Sequence, residues 1–399
     1  MRNRLQQIGR MGIVRRAFNY TLALAIMLAA VITTQSAQAQ TYTLLHQFTG
    51  VPDGNSPSGS LVGDQAGNYY GTTDSGGDYD NGTVFKLNTS GRYKVLYSFT
   101  GGQDGGDPYG GLIRDAAGNF YGTTVKGGAF NLGTVIKLNA SGKFKVLYSF
   151  AGGADGAFPY ASLIRDAAGN LYGTTTQGGA SGYGTVFKLD PTGSETLLHS
   201  FTGEDGRDPN AGLIRDAAGN LYGTTTLGGN LGCGGGYGCG TVFKLDASGI
   251  ETVLHSFSGG QDGEEPTHAG LIHDAAGNLY GTTAYGGTSD NGTVFKLNTG
   301  GKYKVLYSFT GANGANPKAG LIRDAAGNLY GTTLKGGASD HGTVFKLDAS
   351  GHQTVLHSFA GADGSYPSTG LIRDAAGNLY GTTAFGGASD FGTVFKVAP

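Results

Sequence analysis

Residues 320–359 read GLIRDAAGNLYGTTLKGGASDHGTVFKLDASGHQTVLHSF, and this stretch returns with small changes along most of the chain. Four short runs within it are rich in Leu, Ile, Val, Phe, Tyr and Thr, the composition of strands: A (Leu321–Asp324), B (Leu329–Thr333), C (Thr343–Leu347) and D (Thr354–Phe359). Asp324-Ala-Ala-Gly327 separates A from B, and Asp348-Ala-Ser-Gly351 separates C from D. In both, Asp opens a type I turn and Gly stands where a left-handed backbone is needed, the chemistry of a tight hairpin. One copy is therefore a four-stranded antiparallel meander.

The tetrapeptide Tyr-Gly-Thr-Thr begins at Tyr70, Tyr121, Tyr172, Tyr222, Tyr280, Tyr330 and Tyr380, in steps of 51, 51, 50, 58, 50 and 50 residues. A period of this length with strand-like content belongs to propellers and solenoids, which bury the bare faces of each meander against its neighbours. The ends decide between them. Tyr42-Thr-Leu-Leu-His-Gln-Phe48 matches strand D, and Gly392-Thr-Val-Phe-Lys-Val397 matches strand C of a last copy that has no D of its own. An open stack would leave an orphan strand and an unpaired edge, which proteins avoid. The expected fold is all-β: a seven-bladed β-propeller of four-stranded antiparallel blades, closed by the N-terminal strand 42–48 joining the last blade.

Arg2, Arg4, Arg10, Arg15 and Arg16 precede an apolar stretch, Leu22 to Ile32, followed by Ala37-Gln38-Ala39. This is the layout of a secretory signal peptide over 1–39, with an uncleaved anchor as the alternative; the apolar core is short for a membrane span. Residues 40–399 are then one domain, with no transmembrane segment after cleavage. Removing the leader leaves 22 basic against 29 acidic residues, a net charge of −7. That balance argues against nucleic acid, which needs a basic stripe. Cys233 and Cys239 are the only cysteines and share a B–C loop six residues longer than its equivalents. In an exported protein a disulfide is the default; a metal pair lacks further Cys or His nearby.

Many repeated polar residues have a structural explanation. The Lys of GTVFK and the Arg of LIRD fall level with the Tyr of strand B, so their stems can stack on that ring while Asp accepts its hydroxyl. His46, His199, His255 and His357 share one strand-D slot with Tyr97, Tyr148 and Tyr307, a position for a flat ring with a polar tip. No nucleophile elbow, zincin or phosphate-loop motif appears. Asp104-Gly-Gly-Asp107 and Asp205-Gly-Arg-Asp208 lack the full oxygen series of a calcium loop, so no metal and no cofactor is expected.

The A–B and C–D turns fall on one face of the ring and barely change, whereas the B–C and D–A loops fall on the other and vary. Variable loops on a rigid scaffold carry binding groups. After the Pro that ends each D–A loop comes one variable site: Ser58, Tyr109, Tyr160, Asn210, His268, Lys318 and Ser368, with Thr267 inserted in the fifth copy. With strand A innermost these side chains rim the central channel, and Tyr109, Tyr160, Asn210, His268 and Lys318 are the candidate ligand-binding set. Farther out the B–C loops offer Tyr183, Tyr237, Tyr285 and Phe391 as a second set. Aromatic platforms with polar neighbours suit sugars or peptide segments.

The run AGLIRDAAGNLYGTT, followed by GG and GTVFKLD, resembles the GloVer-type tandem repeat of secreted bacterial proteins across residues 42 to 399. The resemblance implies a bacterial extracytoplasmic repeat protein and supplies neither an enzymatic activity nor site residues. Members often carry a C-terminal sorting segment, whereas here Pro399 directly follows the last strand. The expected function is a secreted or periplasmic, monomeric binding module recognising a glycan or cell-surface protein on the variable face. The alternatives are a polysaccharide lyase or hydrolase working at the channel mouth, and a structural part of the cell envelope.

Overall fold

The computed structural model describes residues 40–266, 268 and 270–398, so the expected signal peptide lies outside the described residues. It contains seven antiparallel sheets, each built from one A, B, C and D strand, to which the sheet of the first copy adds a fifth short strand, Asn55–Pro57, paired with its strand B. In the sixth copy these are Ile322–Arg323, Leu329–Thr333, Thr343–Leu347 and Gln353–Ser358. Strand A is thus two residues long where four were expected, pairing only Ile322 with Tyr330 and Arg323 with Leu329. Beyond that point strand B turns its hydrogen bonding to the next blade: the hydroxyl of Thr332 donates to the carbonyls of Pro367 (3.2 Å) and Thr369 (3.3 Å). The same Thr makes this bond in five other copies, for example Thr123 to the carbonyl of Ala161 at 3.0 Å, whereas in the last copy Thr382 bonds the Thr369 hydroxyl at 2.9 Å.

Numbering blades by copy, blade 7 comprises Ile372–Arg373, Leu379–Thr383 and Thr393–Ala398, with the N-terminal Thr41–Gln47 as its fourth strand. Tyr42 pairs with Val397, Leu44 with Phe395 and Gln47 with Thr393, so the ring is closed as the chain ends suggested.

The core is not inside the blades but between them. Seven hydrophobic clusters are present, and each draws its residues from two adjacent blades. The Phe after strand D is the anchor: Phe359 of blade 6 meets Phe395 of blade 7 edge-on at 5.1 Å, and Phe48 of blade 7 meets Phe85 of blade 1 at 5.4 Å. A one-residue bulge in every C–D ladder skips a leucine, Leu45 in blade 7 and Leu356 in blade 6, and turns it into the same seam. The Gly of Tyr-Gly-Thr-Thr is required by close approach: a Cβ on Gly331 would lie 2.9 Å from both Leu321 and the Phe345 ring. Behind it, the second Thr of each pair bonds a buried Thr on strand C, as in Thr333 to Thr343 at 2.8 Å.

Two polar devices repeat. In the A–B turn, Asp274 accepts the backbone N–H of Asn278 (3.0 Å), its side-chain amide (2.8 Å) and the Tyr280 hydroxyl (2.9 Å). The cations stack as expected, with Lys296 Nζ 5.3 Å from the Tyr280 ring centre and Arg323 at 6.0 Å. In the strand-D slot the ring tip meets the carboxylate of its D–A loop: His357 to Asp363 at 2.8 Å, Tyr97 to Asp104 at 2.8 Å, Tyr148 to Asp155 at 2.6 Å. The histidines are loop braces.

Two tests follow from this packing. If the N-terminal strand completes the ring, Phe48→Ala should cost as much as Phe309→Ala in an internal seam, about 3–5 kcal/mol each in urea unfolding. A far smaller loss for Phe48→Ala would show that the closing strand is peripheral. The second concerns acid. Burial alone would raise the carboxyl of Asp274, but the donors of Asn278, Tyr280 and Ala276 outweigh it and bring it down to about 2. The equivalent Asp64, Asp115, Asp166, Asp216, Asp324 and Asp374 are lowered in the same way. A depressed carboxyl stabilises above its unfolded value and loses that contribution as pH falls through the folded value, so the urea midpoint should drop between the ordinary aspartate range and about pH 2. A midpoint that stays level across this window would contradict the brackets.

Candidate functional site

The residue before the Pro of each D–A loop adopts a left-handed backbone: Ser56, Asp107, Phe158, Asp208, Glu265, Asn316 and Tyr366 have φ between 52° and 58°. Non-glycine residues rarely do so, and Pro disfavours helical backbone in the residue preceding it. Backbone bonds on both sides hold the kink. The Asp208 N–H donates to the Tyr183 carbonyl at 3.0 Å, and the Asp208 carbonyl accepts from the Thr226 N–H at 3.1 Å. The chain then runs through the Pro to the variable site and on to strand A. There the blades crowd together: a Cβ on Gly59 would stand 2.5 Å from the Cα of Gly111.

The A-strand approaches of all seven blades line a central channel, with Ser58, Tyr109, Tyr160, Asn210, His268 and Ser368 at its rim. Tyr109 and Tyr160 meet edge to face at 5.4 Å between ring centres, and Tyr109 also lies 5.3 Å from the His268 ring. Tyr109 belongs to blade 2 and His268 to blade 5, so these side chains reach each other over the channel mouth. A groove of about 380 Å³ opens beside them, lined by Tyr109, Tyr160, Thr176, Gln177, Asp208, Asn210 and His268. Asn210 uses its amide N–H₂ on the Thr226 hydroxyl at 3.0 Å.

The electrostatics of this sector are uneven. Burial, reinforced by Lys318, pushes His268 down to about 4, so its imidazole is neutral near pH 7. Burial raises Tyr109, and the Asp74 charge adds to it. Asp74 is itself pushed up to about 6, by burial first and then by Asp107, with Lys126 acting in the opposite direction. Lys126 and Asp107 form an ion pair at 2.5 Å.

The rim set is thus brought together except for Lys318, which acts on His268 by its charge and is not among the residues lining the groove. The outer set is divided. Tyr183 and Tyr237 share one cation, with the Arg207 guanidinium 4.9 Å and 5.4 Å from their ring centres. Phe391 packs on the left-handed Gly50, where a Cβ would stand 3.2 Å from its ring. Tyr285 pairs through its backbone with Glu264.

Cys233 and Cys239 are joined in a disulfide, with 5.5 Å between Cα atoms. With Glu264 they make the one cluster of potential metal ligands among the described residues, and the bond takes both sulfurs out of their thiolate form. Asp104 and Asp205, considered for calcium, are used as braces for Tyr97 and His199. Asp74, Lys126, Thr176 and Gln177 escaped the sequence reading, and Asp208 entered it only as part of a weak calcium-loop pattern. Asp74 carried a usable signal: it follows Tyr-Gly-Thr-Thr where the other copies have Val125, Thr176, Thr226, Ala284, Leu334 and Ala384.

Among solved structures the chain is similar to an extracellular domain assigned to a hybrid two-component system of B. thetaiotaomicron, with TM-score 0.58 and 14% identity over 90% of this chain and 42% of that one. A second structure, an extracellular domain assigned to a one-component system of the same organism, gives 0.56 and 14% over 90% and 41%. A gluconolactonase from Xanthomonas campestris gives 0.43 and 17% over 71% and 82%. This chain therefore spans about two fifths of the first two proteins, and at these identities the likeness is one of fold. No curated protein sequence matches it. Among the described residues no helix is long and apolar enough to cross a membrane. The Gloeobacter/Verrucomicrobia repeat model matches residues 29–237 and 229–399, and with seven copies of that repeat closing one ring, the chain belongs to this family.

Proposed function

We propose that the protein is an exported, monomeric binding module that recognises a glycan in the groove at the channel mouth. The observation that carries this reading is the concentration of Tyr109, Tyr160 and His268 in ring contact beside a groove lined with Thr176, Gln177, Asp208 and Asn210. Aromatic faces cover the apolar faces of sugar rings, and amide, hydroxyl and carboxylate groups beside them fix hydroxyls. The opposite rim presents Ser58 and Ser368, so the ring's seven-fold repetition is broken at the place a ligand would need it broken. A cell-surface protein is the other partner this face could serve.

Export is supported by the arginines, apolar stretch and Ala-x-Ala of residues 1–39, read as a removed leader, and by the disulfide. Placement in the periplasm or at the cell surface agrees with the extracellular domains among the structural neighbours.

One observation favours a second reading, a polysaccharide lyase or hydrolase. A general acid or base works best when its pKa lies near the working pH, and Asp74, whose charge is felt by Tyr109, is pushed up to about 6. Incubation with a polysaccharide panel, read for new reducing or unsaturated ends, separates catalysis from binding.

The binding reading is tested by Tyr109→Ser combined with Tyr160→Ser, since Ser58 and Ser368 show that the scaffold accepts Ser there. Thermal unfolding should remain cooperative, while affinity for the oligosaccharides returned by a glycan array falls by about 1–3 kcal/mol, the range expected of a central contact. A double variant that folds normally and binds with undiminished affinity places the site elsewhere.

A further inference from the structure

Four residues before the ring slot, strand D carries Tyr42, Tyr93, Phe144, Glu195, Glu251, Tyr303 and Gln353 in successive blades. Four of these donate a hydrogen bond to a loop carbonyl of the preceding blade. Tyr42 donates to Asp363 at 2.6 Å, Tyr93 to Asp53 and Tyr303 to Asp262 at 2.5 Å, and Gln353 to Asn313 at 3.2 Å. Phe144 has no donor and stacks on Tyr97 at 4.0 Å instead. Blades 3 and 4 place a carboxyl in this donor position. A carboxyl can donate only while protonated, and in both glutamates Oε1 is buried with no hydrogen-bond partner among the described residues.

The groups facing the two glutamates are the same braced pairs found in every blade. Glu195 faces Asp155 and Tyr148, whose hydroxyl donates to Asp155 at 2.6 Å. Glu251 faces Asp205 and His199, which lie 2.9 Å apart, and the Asp205 carbonyl also accepts from Thr241 at 3.1 Å. Burial first, and then the neighbouring aspartate, pushes Glu195 and Glu251 up to about 7, with His199 acting against the shift in Glu251.

Asp155 and Asp205 lie in the D–A loops 151–159 and 202–209. These loops lead directly into Tyr160 and Asn210, and the second carries Asp208. All three line the groove at the channel mouth. We propose that Glu195 and Glu251 form a proton-operated latch on the loops that lead into the groove: protonated, each bonds to the preceding blade's loop, and deprotonated, each loses that bond and repels the loop aspartate, loosening the groove wall. Its effect on ligand rests on the binding function proposed for the groove. A carboxyl whose folded pKa is raised stabilises below its unfolded value and loses that contribution as pH rises through the folded value. The latch is therefore closed in mild acid and released as pH rises through about 7.

Hydrogen exchange read by mass spectrometry, corrected for the intrinsic pH dependence of exchange, tests the latch. In the wild-type protein, protection of loops 151–159 and 202–209 should fall on the order of tenfold between about pH 5.5 and about pH 8.5. Loop 310–316, held by Gln353, should show no such change. In the Glu195→Gln, Glu251→Gln variant the two loops should behave like loop 310–316, because an amide donates at either pH. Equal protection of the wild-type loops at both pH values, or an unchanged pH dependence in the variant, overturns the proposal. Calorimetric titration with xylohexaose and cellohexaose supplies the second arm, with binding expected to weaken at the higher pH in the wild type only. If neither sugar binds at any pH while the exchange pattern appears, the latch stands and the glycan reading falls; binding that is independent of pH while the loops loosen removes the link to the groove.

Discussion

The Phe that follows each strand D has no place to be buried within its own blade. Phe48, Phe99, Phe150, Phe201, Phe257, Phe309 and Phe359 are each at most 1% exposed, and each owes that burial to the blade that follows. Their backbone N–H groups are tied to the Gly that opens strand C, as in Phe359 to Gly342 at 3.0 Å and Phe48 to Gly392 at 3.0 Å. The smallest complete core is therefore a pair of blades. An open row would leave one blade face bare at each end, and closing the ring through Thr41–Gln47 turns those two faces into a seventh seam.

Because every seam uses the same contacts, the repeated polar residues are fully engaged in building it. Each turn Asp is occupied by Asn and Tyr donors, and each ring slot by its loop carboxylate or, in blade 5, by Asn313. The first Thr of each pair is held by a carbonyl of the next blade or, in blade 7, by the Thr369 hydroxyl of its own blade. A ligand that engaged seven equivalent groups would have to compete with the scaffold. What remains for chemistry is the set of departures from the repeat: Asp74, Tyr109, Tyr160, Glu195, Glu251, His268 and the Cys233–Cys239 hairpin. Most of them lie at one sector of the channel mouth or against the loops that lead into it.

Repetition also governs how much could be read from the chain. Blade number, closure, the ring slot and the stacked cations were legible because each pattern occurs several times, and a pattern that survives substitution reveals what the position needs. The rim was legible as a position, through the variable residue after each Pro. Its three-dimensional composition was not. The contact between Tyr109 and His268 joins blades 2 and 5, and no spacing along the sequence encodes a meeting across the channel. The left-handed kink before each Pro was equally hidden, since Ser, Asp, Phe, Glu, Asn and Tyr all occupy it and the constraint lies in the backbone bonds around it.

The two families of carboxyl in this protein show how one scaffold moves acid groups in opposite directions. Burial raises both, since both are taken out of water. In the A–B turn the carboxylate is met by several N–H and O–H donors that bond only to its charged form, and these reverse the shift in Asp274 to about 2. At the strand-D donor position the same burial meets no donor, and the nearest charge is another carboxylate, so Glu195 and Glu251 move to about 7. The turn aspartates make the ring depend on staying ionised in acid, and the seam glutamates make two of its seams depend on staying protonated toward neutrality. Placing Glu at that one position confines this pH sensitivity to the two seams whose loops lead to Tyr160, Asp208 and Asn210, since the other five blades carry Tyr, Gln or Phe144 there, none of which titrates in this range.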